Sequence, residues 1–172
     1  MGEALIESSS FRLRAAGPGD EAFLYEMFVA SREREFGPLP AEMRDTIARE
    51  QFAILQNGVK TDHPDAQQFV VIAPNTSGDV EIRVGMLLLA EHPDALWVID
   101  LALDPAHRNR GFGSAILRSL MESCRRSGKI MKGSVTPYNP ARRLYARLGI
   151  RELGADRGYI ALEWRPEQPL ER

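Results

Sequence analysis

The chain has 172 residues, a length typical of one domain that can bury a substantial core. Its formal net charge of −2 argues against a nucleic-acid surface that works by bulk positive charge. Cys124 is the only cysteine, so no disulfide can form within the chain, and no apolar run approaches the ~20 residues that cross a membrane. Residues 1–10 lack the blocks of a signal peptide. We therefore expect a cytoplasmic protein with neither a membrane nor a nucleic-acid partner.

The first half of the chain predicts two helices followed by a meander of antiparallel strands. Apolar and charged residues alternate where strands are expected, and apolar residues recur at helical spacing elsewhere. In chain order we predict a strand over 11–15, a helix capped by Asp20, and a helix from Pro40 to about Gln56 that Gly58 ends. A loop over 57–66 follows. The next strands are expected over 69–73, 81–90 and 96–103, with a turn over 75–79 between the first two.

The second half alternates strand and helix. We predict a helix after Gly113, a strand over 129–136, a helix through Tyr145 that Gly149 ends, and a final strand pair over 150–153 and 159–164. The strand–helix–strand unit from 97 to 136 requires its two strands to run parallel. We expect a single domain over 1–172, with flexible ends at 1–10 and 166–172.

The junction between the strand that ends near Leu103 and the next helix is rich in glycine. It reads His107-Arg108-Asn109-Arg110-Gly111-Phe112-Gly113-Ser114. Glycine lets a backbone approach a ligand closely, and the first N–H groups of a helix have no partner within the helix. The positive end of the helix dipole adds to this. The junction therefore predicts a site for a phosphate-bearing ligand.

Three known phosphate or nucleotide patterns do not fit this junction. A P-loop needs four residues between its glycines and a following Gly-Lys-Ser/Thr. The dinucleotide fingerprint needs a third glycine where Ile116 stands. An RNA-recognition strand would continue with aromatic residues, whereas Ser114 to Leu117 continue as a helix.

A fourth pattern fits, and a second motif agrees with it. Arg108, Gly111 and Gly113 match Arg/Gln-x-x-Gly-x-Gly/Ala. Residues 135–150 follow, with a strand ending in Val, an Asn that opens a helix, an Ala, a Leu-Tyr pair and a final Gly-Ile. Together the two motifs resemble the signatures of the GCN5-related N-acetyltransferase (GNAT) family. The resemblance extends loosely over residues 11–164.

The resemblance implies an α/β fold, a mixed, twisted sheet with helices on both faces. A parallel strand pair splays apart and holds coenzyme A in the gap. Acetyl-CoA would be the co-substrate. The implied cofactor-binding residues are Leu103, Arg108, Asn109, Arg110, Gly111, Phe112, Gly113, Ser114, Asn139 and Arg142. Asn139 is also a good helix N-cap without any ligand, and the arginines could equally be solvated.

Acyl transfer to an amine needs a group that takes the amine proton and one that protonates the leaving thiolate. Tyr145 matches the family tyrosine near the cofactor sulfur, although its spacing also suits a core tyrosine. Asp100 interrupts an apolar strand, where a carboxylate is costly unless it is paired or functional. We predict it as the base or as an anchor for the substrate ammonium, with a structural role as the alternative. Glu33 and Glu35 are its rivals.

We therefore expect an N-acetyltransferase that acts directly on a small-molecule primary amine. No metal-ligand spacing and no Gly-x-Ser-x-Gly nucleophile motif occurs, so we expect neither a metal nor an acyl-enzyme. Two alternatives stay open: an acceptor that is a protein N-terminus or lysine, and a non-catalytic acyl-CoA-binding regulatory module. An exposed edge in the last strand pair leaves a homodimer open.

Overall fold

A computed structural model describes residues 8–74 and 80–166. It contains seven strands: β1 (Arg12–Ala15), β2 (Gln67–Ala73), β3 (Ile82–Glu91), β4 (Ala95–Leu103), β5 (Ile130–Val135), β6 (Arg151–Asp156) and β7 (Tyr159–Trp164). The α-helices are α1 (Glu21–Ser31), α2 (Glu33–Phe36), α3 (Ala41–Asp62), α4 (Phe112–Ser127) and α5 (Arg142–Arg147). The turn predicted over 75–79 and nearly all of the two ends predicted to be flexible lie outside the described residues.

All seven strands belong to one mixed sheet, ordered β1-β2-β3-β4-β5-β7-β6. Neighbouring strands are antiparallel except β4 and β5, which run parallel and are joined through α4. The predicted α/β class and the predicted parallel pair are both confirmed. β6 forms one edge of the sheet, and its residues are exposed. A homodimer formed through this edge stays a prediction.

Helices cover both faces of the sheet, as predicted. Ile116, Leu117 and Leu120 of α4 pack with Leu96 of β4 on one face. On the other face, residues of α1 and α3 pack with alternate residues of the central strands, namely Phe23, Leu24, Met27, Phe28, Ala48, Val70, Ile72, Met86 and Ala102. Within the described ranges, no helix is long and apolar enough to span a membrane.

The parallel pairing of β4 and β5 stops before either strand ends. It runs from Ala95 opposite Ile130 to Val98 opposite Gly133. Beyond this point β4 continues to Leu103 and β5 to Val135 without pairing with each other. The predicted separation of the two strands is therefore confirmed, and a gap opens towards their C-terminal ends.

A β-bulge in β4 lies at the start of this gap. Leu88 of β3 pairs with Asp100 while Leu89 pairs with Val98, so Ile99 is an extra residue. Such an insertion reverses which face the following side chains take. Leu101 then packs on the α4 face, and Asp100 lies on the opposite face against the end of α1.

The prediction for the second helix was wrong at its C-terminal end. α3 continues through Gly58 to Asp62, so most of the loop predicted over 57–66 is helical. Gly58 is exposed and makes no close approach, so it costs helix stability without stopping the helix. The helix ends where Pro64 follows His63, because a residue before proline avoids helical backbone angles. The short α2 was not predicted.

Two glycine substitutions should have opposite effects on stability. A Cβ atom at Gly85 would overlap the carbonyl oxygen of Ala102 and lie 2.8 Å from Leu103 Cδ2, so Gly85→Ala must displace β4. We expect it to lower the free energy of unfolding by about 1–3 kcal/mol. Gly58→Ala meets nothing within 4 Å and should raise it by about 0.5–1 kcal/mol. Urea denaturation measures both, and a neutral Gly85→Ala variant would contradict the close strand approach.

Candidate functional site

The glycine-rich junction joins the end of β4 to the start of α4. Asp104 opens a single 3₁₀ turn, and its Oδ1 accepts a hydrogen bond of 2.9 Å from the N–H of Ala106. Asn109 and Gly111 then take left-handed backbone angles, with φ of 59° and 89°. These two reversals fold the chain so that α4 begins at Phe112, directly beyond the strand end.

The first turn of α4 presents backbone N–H groups without acceptors. The first amide bonded back into the helix is that of Ala115, 3.0 Å from the carbonyl oxygen of Gly111. Within the described part of the chain, the N–H groups of Phe112, Gly113 and Ser114 have no backbone acceptor. Free amides at the positive end of a helix dipole suit an anion, and we call these three residues, with Gly111 before them, the anion cradle; that it binds the cofactor stays a prediction.

The two glycines of the cradle are required for different reasons. Gly111 needs its left-handed angle, and a Cβ atom there would meet nothing within 4 Å. Gly113 has no such angle, but a Cβ atom would lie 3.3 Å from Leu144 Cδ2 and 3.6 Å from Leu103 Cδ1. Gly113 therefore permits close packing of α4 on α5 and β4, while Gly111 permits the turn itself.

The arginines of the junction do not behave alike. Arg108 Nε donates to the carbonyl oxygen of Leu103 at 3.0 Å, and its Nη2 donates to that of Ala30 at 2.9 Å. Its guanidinium thus ties the end of β4 to the last turn of α1. Arg110 is exposed beside the cradle. Within the described residues, the guanidinium of Arg110 makes no comparable hydrogen bonds to the backbone.

Asn139 and Arg142, both predicted to contact the cofactor, are engaged within the protein. Asn139 Oδ1 accepts a 2.9 Å hydrogen bond from the N–H of Ala141, so it caps the turn that leads into α5. Arg142 forms two hydrogen bonds to the carboxylate of Glu152, at 2.7 and 2.9 Å, and one of 2.7 Å to the carbonyl oxygen of Pro137. Its guanidinium is largely occupied, which does not favour the predicted contact with a cofactor phosphate.

A cleft occupies the gap between β4 and β5, and its volume is about 540 Å³ when the open solvent at its mouth is included. It is lined by β4 from Val98 to Leu101, by β5 from Met131 to Val135, and by side chains of α4, α5 and β7. Asp100, Asn139 and Tyr145 all line it, so the structure brings three of the predicted site residues together.

Tyr145 extends from α5 into this cleft. Burial raises the pKa of its phenol to about 12, and the negative charge of Asp100 adds to the increase. Both effects disfavour the phenolate. The protonated phenol is therefore the favoured form near neutral pH, and in a proton transfer it acts as the donor.

Asp100 is the one carboxylate among the described residues that line the cleft. Its side chain is 12% exposed, and Arg32 Nη1 lies 3.4 Å from its Oδ2. Burial raises the pKa of this carboxyl above the ordinary value, while Arg32 and the N–H of Leu101 act in the opposite direction. The rivals Glu33 and Glu35 are exposed on α2 and do not line the cleft.

Sequence reasoning missed Arg32 and Lys132. Lys132 lines the cleft from β5, where its place between Met131 and Gly133 signals a strand residue but no ligand. Arg32 stands 68 positions before Asp100, in a charged segment where no spacing rule connects them. Among residues 8–74 and 80–166, no group of three or more His, Cys, Asp or Glu is placed to hold a metal ion.

The chain is similar to several solved acetyltransferases over nearly its whole length. The PaiA N-acetyltransferase of Thermoplasma acidophilum, solved with coenzyme A, superposes with a TM-score of 0.67 at 18% identity, covering 91% of this chain and 99% of that one. The spermidine N-acetyltransferase of Vibrio cholerae, solved with CoA and spermine, gives a TM-score of 0.57 at 20% identity, covering 91% and 94%.

A GCN5-related N-acetyltransferase of Rhodopseudomonas palustris gives a TM-score of 0.62 at 18% identity, covering 96% of this chain and 100% of that one. No curated protein sequence matches the chain. These likenesses at low identity show the shared fold. The family model for acetyltransferases of the GNAT family matches residues 40–150, which include the anion cradle, most of the cleft lining and both sequence motifs. The chain therefore belongs to the GNAT acetyltransferase family.

Proposed function

We propose that the protein transfers an acetyl group from acetyl-CoA directly to a primary amine of a small molecule. The observation that carries this proposal is the cleft between β4 and β5, which is lined by both a buried carboxylate, Asp100, and a protonated phenol, Tyr145. A proton acceptor for the amine and a proton donor for the leaving thiolate are the two groups that accelerate this reaction.

Acetyl-CoA would enter from the side of α4. Its pyrophosphate fits the N–H groups of Phe112, Gly113 and Ser114, and its pantetheine arm fits the edge that β4 leaves unpaired towards β5 beyond Val98. Two of the similar structures, those from Thermoplasma acidophilum and Vibrio cholerae, hold coenzyme A. The thioester would then lie in the cleft beside Tyr145.

In the proposed reaction the amine nitrogen attacks the thioester carbonyl. A C–N bond forms, the C–S bond breaks, and the electron pair of that bond leaves on the sulfur. Asp100 accepts a proton from the amine, and Tyr145 donates one to the thiolate. A thiol with an ordinary pKa of about 8.5 leaves tolerably without help, so Tyr145 accelerates the reaction without being indispensable.

The acceptor would approach from the face of α1 and α2, because Asp100 faces that side. The Vibrio cholerae enzyme holds spermine together with CoA, which supports a small amine as the class of acceptor. A panel of small amines, peptides with free N-termini and lysine peptides, assayed by thiol release from acetyl-CoA, tests this. Binding of CoA without turnover of any amine would instead favour the non-catalytic acyl-CoA-binding module.

Substitution of the cradle glycines should abolish cofactor binding. Gly111→Val forces a branched residue into a left-handed angle and blocks the backbone approach, so the thermal stabilisation that CoA gives should largely vanish. Gly113→Val should do the same while also displacing Leu144. Gly128→Val is the matched control, because Gly128 has a left-handed angle with open space at the other end of α4. Undiminished CoA affinity in both cradle variants would refute the assignment.

Removal of the phenol hydroxyl should affect chemistry and not binding. We expect Tyr145→Phe to keep CoA affinity and to lower kcat by about 10²-fold, the low end for general acid catalysis. Because the pKa of Tyr145 is raised to about 12, ionisation of this phenol should produce no alkaline decline in the wild-type pH profile below that value. A Phe variant that turns over at the full wild-type rate would mean that another group protonates the sulfur.

Neutralising Asp100 should separate the roles of base and anchor. Asp100→Asn should reduce kcat/KM for the amine without weakening CoA binding, and the remaining activity should climb with pH as more amine becomes neutral unaided. An increase confined to the amine KM would indicate an anchor. Glu33→Gln and Glu35→Gln serve as controls, since both residues lie outside the cleft. Loss of activity in either control, with Asp100→Asn unaffected, would move the base to α2.

A further inference from the structure

Arg32, the residue that follows α1, contacts Asp100 in an unusual way. Its Nη1 and Nη2 each lie 3.4 Å from the same carboxylate oxygen, Oδ2. Both side chains are mostly buried, with 20% of Arg32 and 12% of Asp100 exposed. The interaction is therefore a long contact to a single oxygen in a poorly solvated place, where attraction between charges is stronger than in water.

The position of the Arg32 guanidinium does not depend on Asp100. Nη1 donates to Ser31 Oγ at 2.8 Å and to the carbonyl oxygen of Phe28 at 3.4 Å. The guanidinium carbon also lies 4.0 Å from the centre of the Phe28 ring, a cation–π distance. These contacts within the last turn of α1 hold the charge in place before any acceptor arrives.

A comparison with a tight pair in the same chain shows what the long contact does. Arg14 holds Asp20 through two hydrogen bonds of 2.8 and 3.0 Å, one to each carboxylate oxygen. These bonds keep the pKa of Asp20 far below its usual range, so that carboxylate cannot serve as a base. At Asp100 the guanidinium approaches only Oδ2, and the pKa stays above the ordinary value.

We propose that Arg32 is a positioning residue that keeps Asp100 ionised through Oδ2 alone, so that its guanidinium does not cover the other carboxylate oxygen, which can take the proton of the acceptor amine. This inference rests on the proposed function and makes it more specific. Because the positive charge of Arg32 already balances the negative charge of Asp100, the carboxylate acts as a base and not as an anchor for the ammonium form. The other titratable groups that line the cleft are Tyr145 and Lys132.

The position of the acidic limb in the pH profile of kcat/KM tests this proposal. Arg32→Gln retains hydrogen-bonding capacity but removes the charge, so Asp100 should hold its proton more strongly. The limb should move up by about one pH unit or more, since a nearby opposite charge shifts a carboxyl by about 1–3 units. At a pH on the acidic limb, kcat/KM should then be about tenfold lower than in the wild type, and at higher pH it should return towards the wild-type value.

Three further variants separate positioning from structure. Arg32→Lys keeps a charge and should restore most of the limb position. Ser31→Ala removes one contact of the guanidinium and should give a smaller shift in the same direction. Arg34→Gln is the matched control, because Arg34 donates to the carbonyl oxygen of Tyr138 and not to Asp100. A uniform loss at all pH values in Arg32→Gln, with no change in the limb, would overturn the proposal.

A measurement without any acceptor keeps this test apart from that of the proposed function. Carbon-13 NMR of labelled aspartate, with Asp100→Asn used to assign the resonance, follows the Asp100 carboxyl directly. Arg32→Gln should raise its titration midpoint, or Ser31→Ala should do so if the first variant does not fold. An unchanged midpoint refutes the role of Arg32. A raised midpoint in a protein that acetylates no amine refutes the proposed function but leaves the charge effect of Arg32 intact.

Discussion

The site depends on one constraint, the end of parallel pairing between β4 and β5 at Val98 and Gly133. At that point the two strands lie close together, since a Cβ atom on Gly133 would be crowded at 3.0 Å from the carbonyl oxygen of Val98. Immediately beyond it, the extra residue Ile99 reverses the faces of β4. The side chain of Asp100 therefore faces α1 and not the core beneath α4. The same separation creates the cleft in which a ligand can meet that carboxylate.

Burial affects the two proton carriers of this cleft in complementary ways. It disfavours the ionised form of both, which makes Asp100 a stronger base and Tyr145 a weaker acid. The two groups are also coupled, because the charge of Asp100 contributes to the raised pKa of Tyr145. Once Asp100 has accepted a proton, that contribution disappears. In the proposed reaction, uptake of the amine proton therefore makes donation to the sulfur easier, without any movement of the protein.

The sequence was sufficient for features encoded by consecutive residues. The strand, the two glycines and the amphipathic helix around Gly111 predicted both the parallel pair and the unpaired amides. Contacts between distant segments were out of reach, since no local rule links Arg32 to Asp100 or Arg142 to Glu152. The end of α3 was missed because Gly58 carries only a modest helix penalty, which its neighbours along the helix outweigh. The face of Asp100 depended on a bulge that alternation of apolar residues does not reveal.

Arg108 has a consequence for how the molecule opens. Its guanidinium joins the carbonyl oxygen of Leu103, beside the anion cradle, to that of Ala30, two residues before Arg32. Proteins fluctuate by opening in small cooperative units, and elements that share hydrogen bonds tend to open together. The last turn of α1 cannot separate from the junction without breaking the hydrogen bond between Arg108 and Ala30. We therefore expect the anion cradle and the last turn of α1 to open together, although 78 residues of chain separate the two ends of that link.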